Sequence, residues 1–122
     1  MANIITPLPL SQGVLLAASA PSSPGIYSPG VGKSATIRSL TFCNTDVVPR
    51  QVTLHIVASG DTPAAKNRVY GPITLDAAGG SRHAMIDDSI RELLTGDFLS
   101  PFSDAANVVS CRVDGFEVEP AP

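Results

Sequence analysis

The segment closest to a known chemical motif is the loop at residues 27–34, YSPGVGKS, which ends in Gly-Lys-Ser. A phosphate-binding P-loop needs a glycine where Tyr27 stands, a strand before the loop and a long helix after it. Here residues 35–42, ATIRSLTF, are rich in β-branched and aromatic side chains and predict a strand. We therefore interpret the loop as a turn that leads into a strand, and we expect no nucleotide.

The remaining reactive side chains do not have the spacing of a catalytic or metal site. Neither His55 nor His83 has an acid or a cysteine at a ligand spacing, and Asp87-Asp88 lacks the alternating oxygen ligands of a calcium loop. No G-x-S-x-G segment presents a serine as a nucleophile. We expect no catalytic residue, no metal and no cofactor, and we interpret the protein as a non-enzyme, with a hydrolase as the weakest alternative.

The two cysteines, Cys43 and Cys111, are too few and too far apart in sequence for a disulfide scaffold. In a reducing compartment both are expected to behave as small buried apolar residues. A disulfide between them stays open at this point, because strands that are distant in sequence can be neighbours in space.

Length and composition favour a single globular domain of 122 residues, with 43% apolar and 16% charged residues. The net charge of −3 and the absence of a basic run disfavour a nucleic-acid partner. No apolar run approaches the roughly 20 residues of a membrane span, and the N-terminus lacks the charged region of a signal peptide. The aromatic content of 5%, without tryptophan, argues against a stacking platform for sugars or single strands.

Hydrophobic alternation predicts the two clearest strands. Residues 51–58 place apolar side chains on one face and Gln51, Thr53 and His55 on the other, which is the period of a half-buried strand. Residues 35–44 also alternate, with apolar side chains on both faces. The intervening Asn, Asp and Pro residues predict that the two strands form a hairpin.

Weaker patterns predict further strands at residues 13–18, 70–75, 82–86 and 107–113, with a bulge at Gly115 before the last strand resumes. A capping-box spacing from Ser89 to Glu92, followed by Gly96, predicts one or two helical turns. Together these segments predict an all-β fold: a single antiparallel β-sandwich or jelly roll of about seven or eight strands.

The domain is predicted to span residues 13–118, between an extended N-terminal arm at 1–12 and a C-terminal tail at 119–122. Pro7 and Pro9 forbid a helix in the arm, and apolar side chains there would be costly to leave in water. We expect the arm, together with the Pro-rich loop at 20–34, to contact a partner through Ile4, Ile5, Leu8, Leu10 and Tyr27.

Four segments taken in order resemble small virion proteins of tailed bacteriophages. They are PGVGKSATIRSLTFCNT at 29–45, VTLHIVASG at 52–60, LTGD at 94–97 and VDGFEV at 113–118. The resemblance covers about residues 13–118 and rests on the order and spacing of strand and turn residues. It carries no catalytic residue.

The resemblance implies an accessory structural protein, first of all a capsid cement or decoration protein that binds the major capsid protein. It also implies a virion location after synthesis in the host cytoplasm, and self-association with a trimer favoured. The alternatives are a tail or tail-fibre adaptor and, less favoured, a carbohydrate-binding module for host attachment. No nucleic acid and no membrane is expected as a partner.

Overall fold

The computed structural model describes residues 4–7 and 11–120, and the described chain is built almost entirely of strands. It contains no α-helix within these residues, and its one helical segment is a 3-10 turn at Ala65–Asn67. The strands in chain order are β1 (Ile4–Pro7), β2 (Ser11–Leu15), β3 (Ser34–Asn44), β4 (Arg50–Val57), β5 (Arg68–Leu75), β6 (Ala84–Asp87), β7 (Arg91–Leu93), β8 (Phe98–Ser103) and β9 (Val109–Glu119).

These strands form two antiparallel sheets. In the larger sheet the long strands β3 and β9 pair along almost their whole length. The strands β1 and β2 follow each other along the outer side of β9, and β6 and β7 do the same along β3. The larger sheet is therefore four strands wide, and each of its two edges is a broken strand. The smaller sheet has the order β5-β4-β8.

The hydrophobic core lies between the two sheets. The larger sheet contributes side chains such as Ile37 and Phe42, and the smaller sheet contributes Val52, Leu54 and Leu99, all of them fully buried. Burial of an aliphatic or aromatic side chain contributes roughly 1.5–3 kcal/mol, so this shared cluster holds the sheets face to face. The prediction of an all-β sandwich is confirmed.

A bulge explains why apolar residues appeared on both faces of β3. The pairing of β3 with β9 shifts between Ile37 and Ser39, so Arg38 is the extra residue on the β3 side. The extra residue turns Leu40 to the same face as Ile37, and both side chains are buried in the core. Ile37, Leu40 and Phe42 therefore share the core face, the outer face of β3 is half-buried except at Arg38 and carries Cys43, and the bulge lies on β3, opposite Gly115.

The predicted hairpin is also wrong, because β3 and β4 belong to different sheets. The connection at residues 45–49 crosses the edge of the sandwich instead of turning within one sheet. Buried Asn44 holds this crossing: its amide donates to the carbonyl oxygens of Val48 and Asp76, each at 2.9 Å, and its carbonyl accepts from the backbone of Asp46 at 2.9 Å.

The predicted helical turns at residues 89–96 are replaced by strand β7 and a tight turn. The backbone of Ser89 donates to Asp87 Oδ1, which turns the chain between β6 and β7. Gly96 has φ +88°, the left-handed conformation expected of it, but it sits in a turn closed by a bond from Asp97 N–H to Leu94 O. This segment therefore forms a strand that pairs with β3, although the Ser89 to Glu92 spacing is that of a helix cap.

Besides β7, two strands were not predicted. The strand β8 contains Pro101, which cannot donate a ladder hydrogen bond and is tolerated because β8 lies at the edge of the smaller sheet. Within the predicted arm, β1 pairs with the end of β9, and β2 begins at Ser11. The domain boundaries after residues 12 and 118 stay predictions.

Candidate functional site

The predicted interface residues lie at one end of the larger sheet. Ile4 and Ile5 belong to β1, opposite Glu119 and Val118 of β9, and Ile5 is 61% exposed. Leu8 and Leu10, which complete the prediction for the arm, lie outside the described residues. The outer side of β1 forms a sheet edge in the described part of the chain.

Tyr27 lies near the same end but on the core side of the sheet. Its backbone bridges Leu99, and its hydroxyl is buried without a hydrogen-bonding partner among the described residues. Burial first, and the negative charge of Glu117 second, raise the pKa of Tyr27 above its ordinary value. Glu117 pairs with Thr6 of β1, so Tyr27 lies at this end of the sheet, on its core side. Tyr27 therefore does not share a surface with Ile5.

The Gly-Lys-Ser loop is a turn that leads directly into β3. The backbone of Lys33 donates to Gly30 at 3.0 Å, and Ser34 begins the strand. The hydroxyl of Thr95 donates to the carbonyl oxygen of Lys33, which ties the turn to the segment between β7 and β8. The interpretation as a turn before a strand is confirmed.

The two cysteines are free and lie on opposite faces of the larger sheet. Cys111 is opposite Phe42 and is buried in the core, whereas the neighbouring Cys43 points to the outer face and is partly exposed. Burial raises the pKa of the Cys111 thiol to about 12. The interpretation as a small buried apolar residue thus describes Cys111 but only partly describes Cys43.

A groove of about 380 Å³ lies on the outer face of the smaller sheet. The central strand β4 forms its floor through Thr53 and His55. One wall comes from Phe102 of β8 and the following Asp104, and the other comes from Arg68 and Pro72 of β5. Gln51 and the alanines of the 3-10 turn region, Ala64 and Ala65, complete the lining.

The groove side chains were expected on a solvent-exposed face, yet two of them are buried. Thr53 is 6% exposed and His55 is 7% exposed, although both line the groove together with side chains of β5, β8 and the 3-10 turn region. The His55 ring stacks on Phe102 with the centroids 6.0 Å apart and an angle of 17° between the planes. Nδ1 of His55 is buried without a hydrogen-bonding partner among the described residues.

Opposite charges face each other across the groove. Asp104 is held against β4 by two bonds of 3.1 Å, because its Oδ1 accepts from the backbone of Gln51 and its own N–H donates to the carbonyl of Gln51. Its Oδ2 accepts no hydrogen bond from a described residue. On the other wall, the Arg68 guanidinium has no ion pair or hydrogen bond within the described chain. The groove therefore presents one free acceptor group and one free donor group.

Sequence reasoning placed Gln51, Thr53 and His55 on one face of a strand but did not find the residues that form the walls of the groove. Phe102 and Asp104 belong to the segment that was not predicted as a strand, and Arg68 begins a strand whose start was placed at residue 70. The available signal was the alternation of polar residues on the second face of residues 51–58. This alternation indicates a groove only when β5 and β8 are known to flank β4.

The groove brings polar and charged side chains together around a space of small-molecule size. Residues 4–7 and 11–120 contain no group of three or more His, Cys, Asp or Glu side chains that could hold a metal ion. The groove has a single histidine and a single carboxylate, and that carboxylate is committed to the backbone of Gln51 through one oxygen.

Comparison with known proteins gives no match: no protein-family model fits the chain, and no curated protein or solved structure is significantly similar to it. Within the part of the chain that the structure describes, no helix is long and apolar enough to cross a membrane. The fold and the site thus define an all-β sandwich with an open groove on its smaller sheet.

Proposed function

We propose that this chain is a non-enzymatic structural protein of a bacteriophage virion, and within that class a capsid cement or decoration protein. It binds the major capsid protein and stabilises the head, and it associates with further copies of itself, with a trimer favoured. The protein is made in the host cytoplasm and carried in the virion. The observation that carries the proposal is the edge strand β1, together with the exposed Ile5 on it.

An exposed sheet edge supports protein–protein contact for a physical reason. The outer side of β1 presents backbone N–H and C=O groups that can pair with another chain, and the exposed Ile5 adds apolar area to such a contact. The strand is short and pairs with only four residues of β9, so it can change partners without breaking the core. Both properties suit a small protein whose role is to join larger subunits.

The first experiment is to determine where the protein sits in purified particles and how many copies are present. Quantitative mass spectrometry of purified virions gives the copy number, and electron cryomicroscopy gives the location. A copy number in the hundreds supports a cement protein. A copy number of about six or twelve supports the alternative, a tail or tail-fibre adaptor, because those parts follow the symmetry of the tail axis.

The contact itself is tested by binding of variants to particles that lack the protein. Deletion of residues 2–10 should leave a folded domain that binds much more weakly. The substitution Ile5→Glu is milder, since the side chain is already exposed, and it should also weaken binding. Ile86→Glu is the matched control, because Ile86 is 68% exposed on β6 at the opposite edge of the same sheet.

The outcomes separate the candidate surfaces. Unfolding of the deletion variant would make the arm an integral strand and would contradict its assignment to an interface. Normal binding of that variant would move the contact to the Pro-rich loop at residues 20–34. Sedimentation that shows only monomers at tens of micromolar, together with no binding to particles, would contradict the whole proposal.

A further inference from the structure

We propose that the groove on the outer face of the smaller sheet binds a neutral saccharide of one or two sugar units. The groove lies on the sheet that does not contain β1, so a ligand there leaves the proposed contact edge free. Its volume of about 380 Å³ falls near the lower end of the roughly 300–1,000 Å³ found for small-ligand pockets.

The charges in the groove favour a ligand that both donates and accepts hydrogen bonds. The Arg68 guanidinium can only donate, and the free Oδ2 of Asp104 can only accept. A simple anion would be repelled by Asp104, and a simple cation would be repelled by Arg68. Sugar hydroxyl groups can accept a hydrogen bond from Arg68 and donate one to Asp104. The amide of Gln51 at the end of the groove can serve as donor or acceptor.

The apolar part of the lining fits the C–H face of a sugar ring. Phe102 and Pro72 supply flat apolar surfaces on opposite walls, and Ala64 and Ala65 add methyl groups at the turn. His55 is 7% exposed and its ring stacks on Phe102, which holds the Phe102 ring in place at the groove.

Two other ligand classes fit less well. A peptide that adds a strand needs free backbone groups, but β4 forms the floor of the groove and is paired on both sides, with β5 and with β8. A nucleic acid needs several cations along a path, and Arg68 is the one basic side chain that lines this groove.

The test is a titration of the full-length, isotopically labelled protein with neutral monosaccharides and disaccharides, followed by NMR. Backbone resonances of residues 51–55, 64–72 and 102–104 should shift, and those of β1 should not. Because the groove is open to solvent, we expect a dissociation constant on the order of 1 mM or below for the best sugar.

Variants then tie the binding to the two charged walls. Arg68→Met removes the free donor and should weaken binding at least about tenfold, the value expected for loss of a hydrogen bond to a charged group. Asp104→Asn keeps an oxygen for the backbone of Gln51 but removes the charge, and it should also weaken binding. Arg38→Met is the control, because Arg38 is exposed on the other sheet and also lacks an ion pair within the described chain.

Three results would overturn the inference. The first is that no resonance of the groove residues shifts with any sugar at 20-fold the expected dissociation constant (~20 mM). The second is that Arg68→Met and Asp104→Asn bind sugar as the wild type does. The third is that inorganic phosphate or a short peptide saturates the groove and sugars do not. None of them bears on the particle experiments, which test β1. The two proposals can therefore fail independently.

Discussion

Gly115 lies directly opposite Ile37 where β9 crosses the bulge of β3, and a Cβ atom at position 115 would overlap the carbonyl oxygen of Thr36. The backbones of β3 and β9 leave no room for a Cβ atom at this point. A glycine is needed here because of the distance between backbones and not because of a left-handed conformation. The bulge that brings Ile37 and Leu40 to one face therefore depends on the residue across from it.

The first prediction is that Gly115→Ala lowers the free energy of unfolding by roughly 1–3 kcal/mol, the cost typical of an added methyl group in a packed region. Urea denaturation followed by circular dichroism measures the change. Gly30→Ala is the control, because a Cβ at position 30 would meet nothing closer than Lys33 Cδ at 3.9 Å. Equal stability of the wild type and Gly115→Ala would show that β3 and β9 can separate at the bulge without cost.

The second prediction concerns Asn44, which holds the crossing between the two sheets. Asn44→Ala removes three hydrogen bonds at a fully buried position and leaves two carbonyl groups and one N–H without partners. The free energy of unfolding should fall by roughly 2–4 kcal/mol, as measured in the same denaturation experiment.

Asn67→Ala provides the comparison for Asn44→Ala. The Asn67 side chain also donates and accepts hydrogen bonds of 2.8–2.9 Å, but it does so in an exposed loop where water can replace them. Its loss should cost less than about 1 kcal/mol. If the two variants were equally stable, burial would not be what makes the Asn44 bonds important.

The strands with clear alternation were predictable from sequence, and their partners were not. The period of two in residues 51–58 predicts β4 and its buried face. The spacing of Ile37 and Leu40, three residues apart, contradicts that period unless a residue is inserted, and a single sequence does not reveal which residue is extra. The hairpin prediction failed for a related reason, since a five-residue connection is compatible with a turn within one sheet or a crossing between two.

The groove was even less predictable, because it arises from residues on three strands. His55 was visible as a polar residue on a strand, but its burial depends on Phe102 from β8 and on the turn that contains Ala65. The segment of Phe102 contains Pro101, and proline lowers the propensity for a strand. Proline is tolerated in β8 because this strand lies at the edge of its sheet. Which strands lie at an edge follows from the topology and not from the local sequence.

The third prediction is a dependence of stability on pH that comes from Asp87. Burial alone would raise the pKa of Asp87, but the hydrogen bond from the Ser89 backbone and the charge of Arg91, 3.3 Å away, lower it below its ordinary value. A carboxyl whose pKa is lower in the folded state stabilises the fold above its unfolded pKa, which is about 3.9. This contribution is lost as the pH falls through the folded pKa.

Denaturation between about pH 2 and pH 6 measures this dependence. The stability of Asp87→Asn should be below that of the wild type at pH 6, and the difference should shrink as the pH falls. Asp88→Asn is the control, since this neighbouring carboxylate is exposed and has no hydrogen bond within the described residues. A constant difference between Asp87→Asn and the wild type across the range would contradict the prediction.

The last prediction concerns the two thiols, which lie on opposite faces of the larger sheet. Cys43 is partly exposed, whereas Cys111 is buried with a pKa raised to about 12, so only Cys43 has an accessible thiol in the folded protein. The thiolate is the reactive form, and burial suppresses both its formation and its access to a reagent.

An aromatic disulfide reagent at pH 8 should therefore modify one cysteine rapidly, and should modify the second only after unfolding in guanidinium. Cys43→Ser should abolish the rapid phase, and Cys111→Ala should leave it intact. Intact mass measured without reductant should show both thiols free, and a loss of two hydrogens would contradict the assignment of Cys43 and Cys111 to opposite faces.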